Sequence, residues 1–226
     1  PAAACATEME FSISISLKDG SAFSDPPSGW YDVTVGIGTE LVFRDEIEGD
    51  VSGWTISNSD SLETGAWEQA DPNGTIYNSQ LAAPEDDATG GSQNTKCYVT
   101  ENGAVGGSAG SADVDNGSTS LVSPILEVSG TNGIVSYARW FFDSQSSDSL
   151  NTYISNNDGA SWVLVHSTGS TGSEWELTSF TIADYVEPTD LVRVGFIAED
   201  LDPASIVEAG IDNFQLEIVI CGDACL

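Results

Sequence analysis

The residues able to do chemistry in this chain are carboxylates before anything else: 36 Asp and Glu stand against five Lys and Arg, with one histidine, for a formal net charge of −31. Asp113 and Asp115 flank Val114 in a Gly-rich stretch. On an extended backbone that spacing turns both carboxylates to one side, which suits calcium, a cation that collects roughly six to eight oxygen ligands. The Asp115-Asn116-Gly117 run is equally good turn chemistry, so both readings stand. Asn156-Asn157-Asp158-Gly159 is more simply a hairpin turn, because Asn, Asp and Gly tolerate positive φ.

Recognition chemistry has its own candidates. Over 134–142, alternation sets Ala138, Trp140 and Phe142 on one face and Tyr137, Arg139 and Phe141 on the other. Over 191–197, Val192, Val194 and Phe196 alternate with Arg193. Two of the five cations thus stand mid-strand beside aromatics, on what could be one sheet face. Such a surface suits an acidic or hydroxyl-rich polymer, through ring stacking and forked guanidinium hydrogen bonds. The competing reading is a buried arginine paired with an acid such as Glu208 or Glu199. Most of the tryptophans occupy positions where an aromatic packs between sheets; Trp67, beside a long loop, and Trp175 are expected to be the exposed pair.

Catalysis has thinner support. His166 ends an apolar run with neither a Gly-x-Ser-x-Gly elbow nor a His-Glu-x-x-His pair in the chain. A carboxylate pair for glycoside hydrolysis must approach to about 5 to 10 Å, a property of the fold and not of spacing. Tyr137 with Arg139 is the one combination that would serve a polysaccharide-cleaving reading.

The elements that must position these groups are strands. No window of a dozen residues carries a helical period. Residues 10–17 alternate Phe11, Ile13, Ile15 and Leu17 against serines, and 30–35 reads as a second strand. Two strands are too few to stand alone, so residues 1–38 are expected to be the end of a preceding domain or an extension packing on the domain that begins at Thr39. From Thr39 on, strands are expected around 40–47, 53–58, 65–68, 96–100, 120–127, 133–142, 150–155, 161–166, 174–182, 190–198 and 210–220. That number and spacing predict an all-β, two-sheet antiparallel sandwich of jelly-roll type over 39–226. The stretches 71–95 and 102–117 read as long surface loops, the usual place for ligands and ions.

Charge and cysteine usage narrow the setting. A surface this acidic repels nucleic acid and anionic membranes, and favours cations or high salt as companions. No run approaches the roughly 20 apolar residues that span a bilayer. No charged-then-apolar leader precedes Pro1, and a chain beginning at Pro without Met reads as processed or excised. Cys5, Cys97, Cys221 and Cys225, in a chain rich in Ser, Thr and Gly, fit an oxidising, extracellular setting. Cys221–Cys225 is the expected local disulfide, with a link from Cys5 left open.

Motifs running through 39–226 in order carry a resemblance. They are Phe43-Arg44-Asp45-Glu46-Ile47-Glu48 with Ser52-Gly53-Trp54-Thr55, Gly65-Ala66-Trp67-Glu68, Cys97-Tyr98-Val99-Thr100 and Asp113-Val114-Asp115-Asn116-Gly117. After these come Ser136-Tyr137-Ala138-Arg139-Trp140, Asn156-Asn157-Asp158-Gly159-Ala160-Ser161-Trp162, Val192-Arg193-Val194 and Gly210-Ile211-Asp212-Asn213-Phe214. This region resembles the MAM-like or carbohydrate-binding-module-like jelly-roll domain found C-terminal to secreted bacterial metallopeptidases of the zinc carboxypeptidase type. Ile47 stands where that family commonly has Phe. The resemblance implies that residues 1–38 are the last strands of an immunoglobulin-like or fibronectin-like domain. It also implies a structural calcium joining first and last strands, here through Asp45, Glu48, Asp50 and Asp212.

The expected function is a noncatalytic, calcium-stabilised, secreted module that attaches a larger protein to a polysaccharide or glycoprotein surface. Its expected ligand residues are Tyr137, Arg139, Arg193, Trp67 and Trp175; its expected metal ligands are Asp45, Glu48, Asp50 and Asp212, with Asp113 and Asp115 as a second site. The alternative is an adhesive, self-assembling subunit in which the 10–17 strand adds to a neighbouring domain or copy.

Overall fold

A computed structural model describes residues 37–90, 94–201 and 203–221. The two strands expected within residues 1–36, and the expected Cys221–Cys225 disulfide, lie outside the described side chains; Cys97 is a buried free thiol. The chain is an all-β, two-sheet antiparallel sandwich of jelly-roll type. Its strands are β1 (Ile37–Asp45), β2 (Thr55–Asn58), β3 (Trp67–Ala70), β4 (Ile76–Tyr77), β5 (Gln80–Leu81), β6 (Cys97–Thr100) and β7 (Ser118–Val122). They continue with β8 (Gly133–Asp143), β9 (Leu150–Ser155), β10 (Val163–Thr168), β11 (Glu176–Thr181), β12 (Arg193–Glu199) and β13 (Val207–Cys221). One sheet has six strands in the order β11-β8-β13-β6-β3, with β1 also on β13; the other has five, β10-β9-β12-β7-β2. No helix among the described residues is long and apolar enough to cross a membrane.

Each of the long strands contributes alternate residues to the space between the sheets. From β8 these are Val135, Tyr137 and Phe141, from β12 Val194, Phe196 and Ala198, and from β13 Ile211, Phe214 and Leu216. A chain of edge-on aromatics crosses that space, with centroid separations of 4.9 Å for Tyr137–Phe196, 6.3 Å for Phe196–Phe214 and 5.2 Å for Phe214–Trp54. Each fully buried large side chain contributes about 1.5–3 kcal/mol, and together they hold the layers against one another.

The two outer faces differ. The segment 71–90, part of the 71–95 stretch expected to be a surface loop, folds its β4–β5 hairpin through Asn78 (φ 50°) and Ser79 (φ 67°), a two-residue turn with both φ positive. It roofs the six-stranded sheet and closes a second apolar cluster of Ala83, Cys97, Val99 and Trp140, with Phe142 and Trp175 against it. Among the described residues, none covers the middle of the five-stranded sheet in this way.

Candidate functional site

The uncovered face is built by alternation. Where Leu121, Val194, Phe196 and Ile154 face the core, their neighbours Ser120, Val122, Gly195, Ile197 and Tyr153 face outward, in register across β7, β12 and β9. Ser57 extends the row onto β2, opposite Ser120. Together with Trp162 these residues line a cleft of about 360 Å³. The lining bears no carboxylate or basic group, a notable gap in a chain of 36 acids.

Trp162 sits on this face for a local reason. The β9–β10 hairpin turns at Asp158 (φ 57°) and Gly159 (φ 85°), pinned by Ser155 Oγ, which accepts from the Gly159 amide at 2.9 Å. The indole then lies over the sheet at a glycine: a Cβ on Gly195 would stand 3.2 Å from its six-membered ring. A mid-strand glycine permits this approach. Trp162 as a whole is 38% exposed, and Tyr153 beside it is half-buried. Arg193 closes one end, donating to Asp158 Oδ1 at 2.5 Å and to the Ser123 carbonyl at 2.8 Å. Glu199, with burial raising its carboxyl above the usual range, lies at the other end of β12.

Several expected ligand residues are elsewhere. Trp67 is core, 3% exposed, with its indole N–H donating to the Thr119 carbonyl. Tyr137 is fully buried, its hydroxyl held by Thr152 Oγ1 at 2.9 Å and His166 Nδ1 at 3.2 Å. Neither can meet a polymer, because inward alternation puts both between the sheets. Trp175 is half-buried against Trp140 and donates to the Asp86 carbonyl, so it packs the roof. Arg139 pairs with Glu176 at 3.0 Å. It and Arg193 lie on different sheets, so the expected shared face does not form; both arginines are paired with acids, though with Glu176 and Asp158 in place of Glu208 and Glu199. Among the described residues the exposed tryptophan is Trp162, a position expected to pack between the sheets. Mid-strand Gly195 was the available signal.

The expected calcium ligands divide in two groups. Asp212 is fully buried beneath the roof, where its carboxylate accepts from the Ala88 amide (2.9 Å), Thr89 Oγ1 (3.1 Å) and the Asn213 amide (2.6 Å). Burial first, with help from Asp87, pushes its carboxyl up to about 7. The position is made by a β-bulge: the register of β13 on β8 shifts between Asp212 and Gln215, with Asn213 at φ 49°, so that Ile211 and Phe214 both reach the core while Asp212 faces the roof. Glu48 reaches the same side, accepting from the Lys96 amide at 2.7 Å. Cys97 registers the gathered charge, its thiol raised by burial and then by Asp212, Asp87, Asp71 and Glu48. Asp45 is directed elsewhere, its two oxygens accepting from the Ile47 amide and the Trp54 indole, and Asp50 is an exposed turn acid on the Ser52 amide. Asp113 is buried, pushed up to about 6 by burial and by Asp115, while Asp115 accepts from Thr64 Oγ1 at 3.2 Å. Among the described residues, no three such side chains are grouped as a metal-ion site.

No family model and no curated protein matches this chain. Solved structures are similar in shape. The K1 cleaved adhesin domain of Lys-gingipain from Porphyromonas gingivalis W83 aligns over 82% of this chain and 99% of its own at 13% identity, TM-score 0.47. TmCBM61, solved with β-1,4-galactotriose, aligns over 74% of this chain and 90% of its own at 15% identity, TM-score 0.46. The enzymatically active domain of bacteriophage CBA120 tailspike protein 4 aligns over 76% of this chain at 13% identity, TM-score 0.46, and this chain spans 20% of that one.

Proposed function

We propose that this chain is a noncatalytic, extracellular carbohydrate-binding module that takes a neutral polysaccharide across the outer face of its five-stranded sheet. The observation carrying this reading is the cleft: Trp162 and Tyr153 offer ring faces, Ser57 and Ser120 offer hydroxyls, and the lining is uncharged. Pockets of a few hundred Å³, mainly apolar with a few polar groups, suit small ligands and short oligomers. Sugar rings present an apolar C–H face to an indole and hydroxyls to Ser and Tyr oxygens, which donate and accept equally well. Uronate polymers are disfavoured by the charge of the whole molecule. The affinity to MAM-like and carbohydrate-binding-module-like domains, and the secreted setting, belong to the same proposal.

Calcium is its second part. Asp212 and Glu48 are the members of the expected ligand set that would hold it, with Asp87 beside them; a buried carboxylate with a raised pKa among other acids is stabilised when a cation replaces its proton. The ion would tie the roof to β13 and would leave the cleft uncharged.

The test is retention on neutral polysaccharides (xylan, galactan, mixed-linkage glucan) against alginate and polygalacturonate, in native affinity gels. Retardation by at least one neutral polymer, with none by the uronates, is the expected result. Uniform mobility in all of them, or release of new sugar ends, would contradict it.

A further inference from the structure

Beneath the roof lies a second site of a different kind. Glu208 and Gly210 are two apart on β13, and Trp140 is the β8 partner of Gly210. Glu208 and the Trp140 indole therefore stand on the same outer face of the six-stranded sheet. The indole nitrogen lies directly over Gly210, since a Cβ there would come within 2.1 Å of it. Both residues are buried, Trp140 1% and Glu208 3% exposed. One oxygen of Glu208, Oε2, is satisfied by Thr75 Oγ1 at 2.6 Å, and that hydroxyl in turn accepts from the Ala83 amide at 3.2 Å. Two polar atoms here have no partner among the described residues, Oε1 of Glu208 and Nε1 of Trp140.

A buried donor and a buried acceptor left unpaired forfeit the hydrogen bonds that each made to water in the unfolded chain. Both residues line one cavity of about 10 Å³, shared with Thr75, Asn73, Val99 and Gly103. That volume is about what a single water centre needs.

We propose that this cavity is a built hydration site, in which one water accepts from Trp140 Nε1–H and exchanges a hydrogen bond with Glu208 Oε1, joining β8 and β13 to the roof through Thr75. The donor selects the ligand. A cation would satisfy Glu208 but would face the positive end of the indole N–H, whereas water pairs with both groups at once. The site also tolerates either protonation state. Burial pushes the Glu208 carboxyl up to about 8; a protonated Oε1 donates to the water and an ionised one accepts from it. Six tryptophans give six indole signals, which makes the site observable.

The experiment is hydration NMR on the ¹⁵N-labelled full chain. Trp140→Phe identifies the Trp140 indole signal by its loss. The expected result is a cross-peak between that indole proton and a long-lived water, retained in EDTA and in Glu208→Gln, which keeps a hydrogen-bonding group at Oε1. Absence of the cross-peak in the wild-type chain overturns the proposal. A crystal structure supplies a second readout that does not depend on any variant folding: one density peak about 2.7–3.2 Å from both atoms supports water. A peak with oxygen ligands at about 2.3–2.6 Å that vanishes in EDTA shows calcium and overturns it.

Discussion

The two sheets of this sandwich present opposite outer faces. At the cleft on the five-stranded sheet the outward residues are Ser, Val, Gly, Ile and Tyr under a tryptophan that is 38% exposed. On the six-stranded sheet the outward Trp140 is 1% exposed beneath the 71–90 roof, beside the buried acids Glu208 and Asp212. Both faces carry an indole laid over a mid-strand glycine, Trp162 on Gly195 and Trp140 on Gly210. The same local device leaves a ring open to solvent on one face and buries it under a loop on the other; the proposed function assigns recognition to the open ring and stability to the covered one. Exposure, set by a distant segment of chain, decides between the two.

The largest effect that would sharpen this contrast is Trp140→Ala, which removes the centre of the roofed cluster and is expected to destabilise the fold by about 3–5 kcal/mol. Chemical denaturation measures it. Trp162→Ala is expected to change stability by less than about 1 kcal/mol while abolishing glycan retention. If the two substitutions had equal effects on stability, the faces would not differ as described.

Next comes calcium. A ligand bound only to the folded state at about 100 times its Kd stabilises by about 2.7 kcal/mol, so millimolar calcium after EDTA treatment is expected to raise Tm, and Asp212→Asn to remove most of that rise. A calcium response unchanged in Asp212→Asn would move the ion away from the β13 bulge.

The third is pH, measured without divalent cations. Glu208 (about 8), Asp212 (about 7) and Asp113 (about 6) hold their protons more tightly folded than unfolded. Between the ordinary carboxylate range and those values the folded state binds more protons, so stability falls as pH rises through that window. Asp143, held below its ordinary value against burial by the Asp148 and Gln145 amides and Ser205, acts oppositely, losing its contribution as pH falls through its lowered pKa. A Tm maximum on the acid side of neutrality is expected, with a loss of about 2–4 °C per kcal/mol toward pH 8. Glu208→Gln should flatten that slope, and an unchanged slope would discount Glu208.

The smallest expected effect is Arg193→Ala. Its pair with the exposed Asp158 is worth about 0–1 kcal/mol, so the cleft should persist with a modest loss of affinity at that end. Binding titration checks it.

Much of this fold was legible because strand alternation is a local signal. The pattern over 134–142 did assign opposite faces to Tyr137 and Trp140, and the turn at Asp158-Gly159 is where Asn156-Asn157-Asp158-Gly159 placed it. Which outer face is open was not legible. It depends on the segment 71–90 folding over one sheet, through a hairpin whose two strands are two residues each and carry no periodic signal. Trp175 and Trp162 therefore exchanged roles between expectation and structure. The bulge that turns Asp212 to the roof shows only in the strand register, and Asp45 is engaged by a Trp54 indole nine residues away in sequence.

The most direct measurement is calorimetric titration of the neutral polysaccharide retained best, against the wild-type chain, Trp162→Ala and Trp175→Ala. The cleft assignment predicts at least a tenfold loss of affinity, about 1.4 kcal/mol, for Trp162→Ala alone, with Trp175→Ala binding as wild type wherever it is folded. Unchanged binding by Trp162→Ala, or a loss confined to Trp175→Ala, would contradict it.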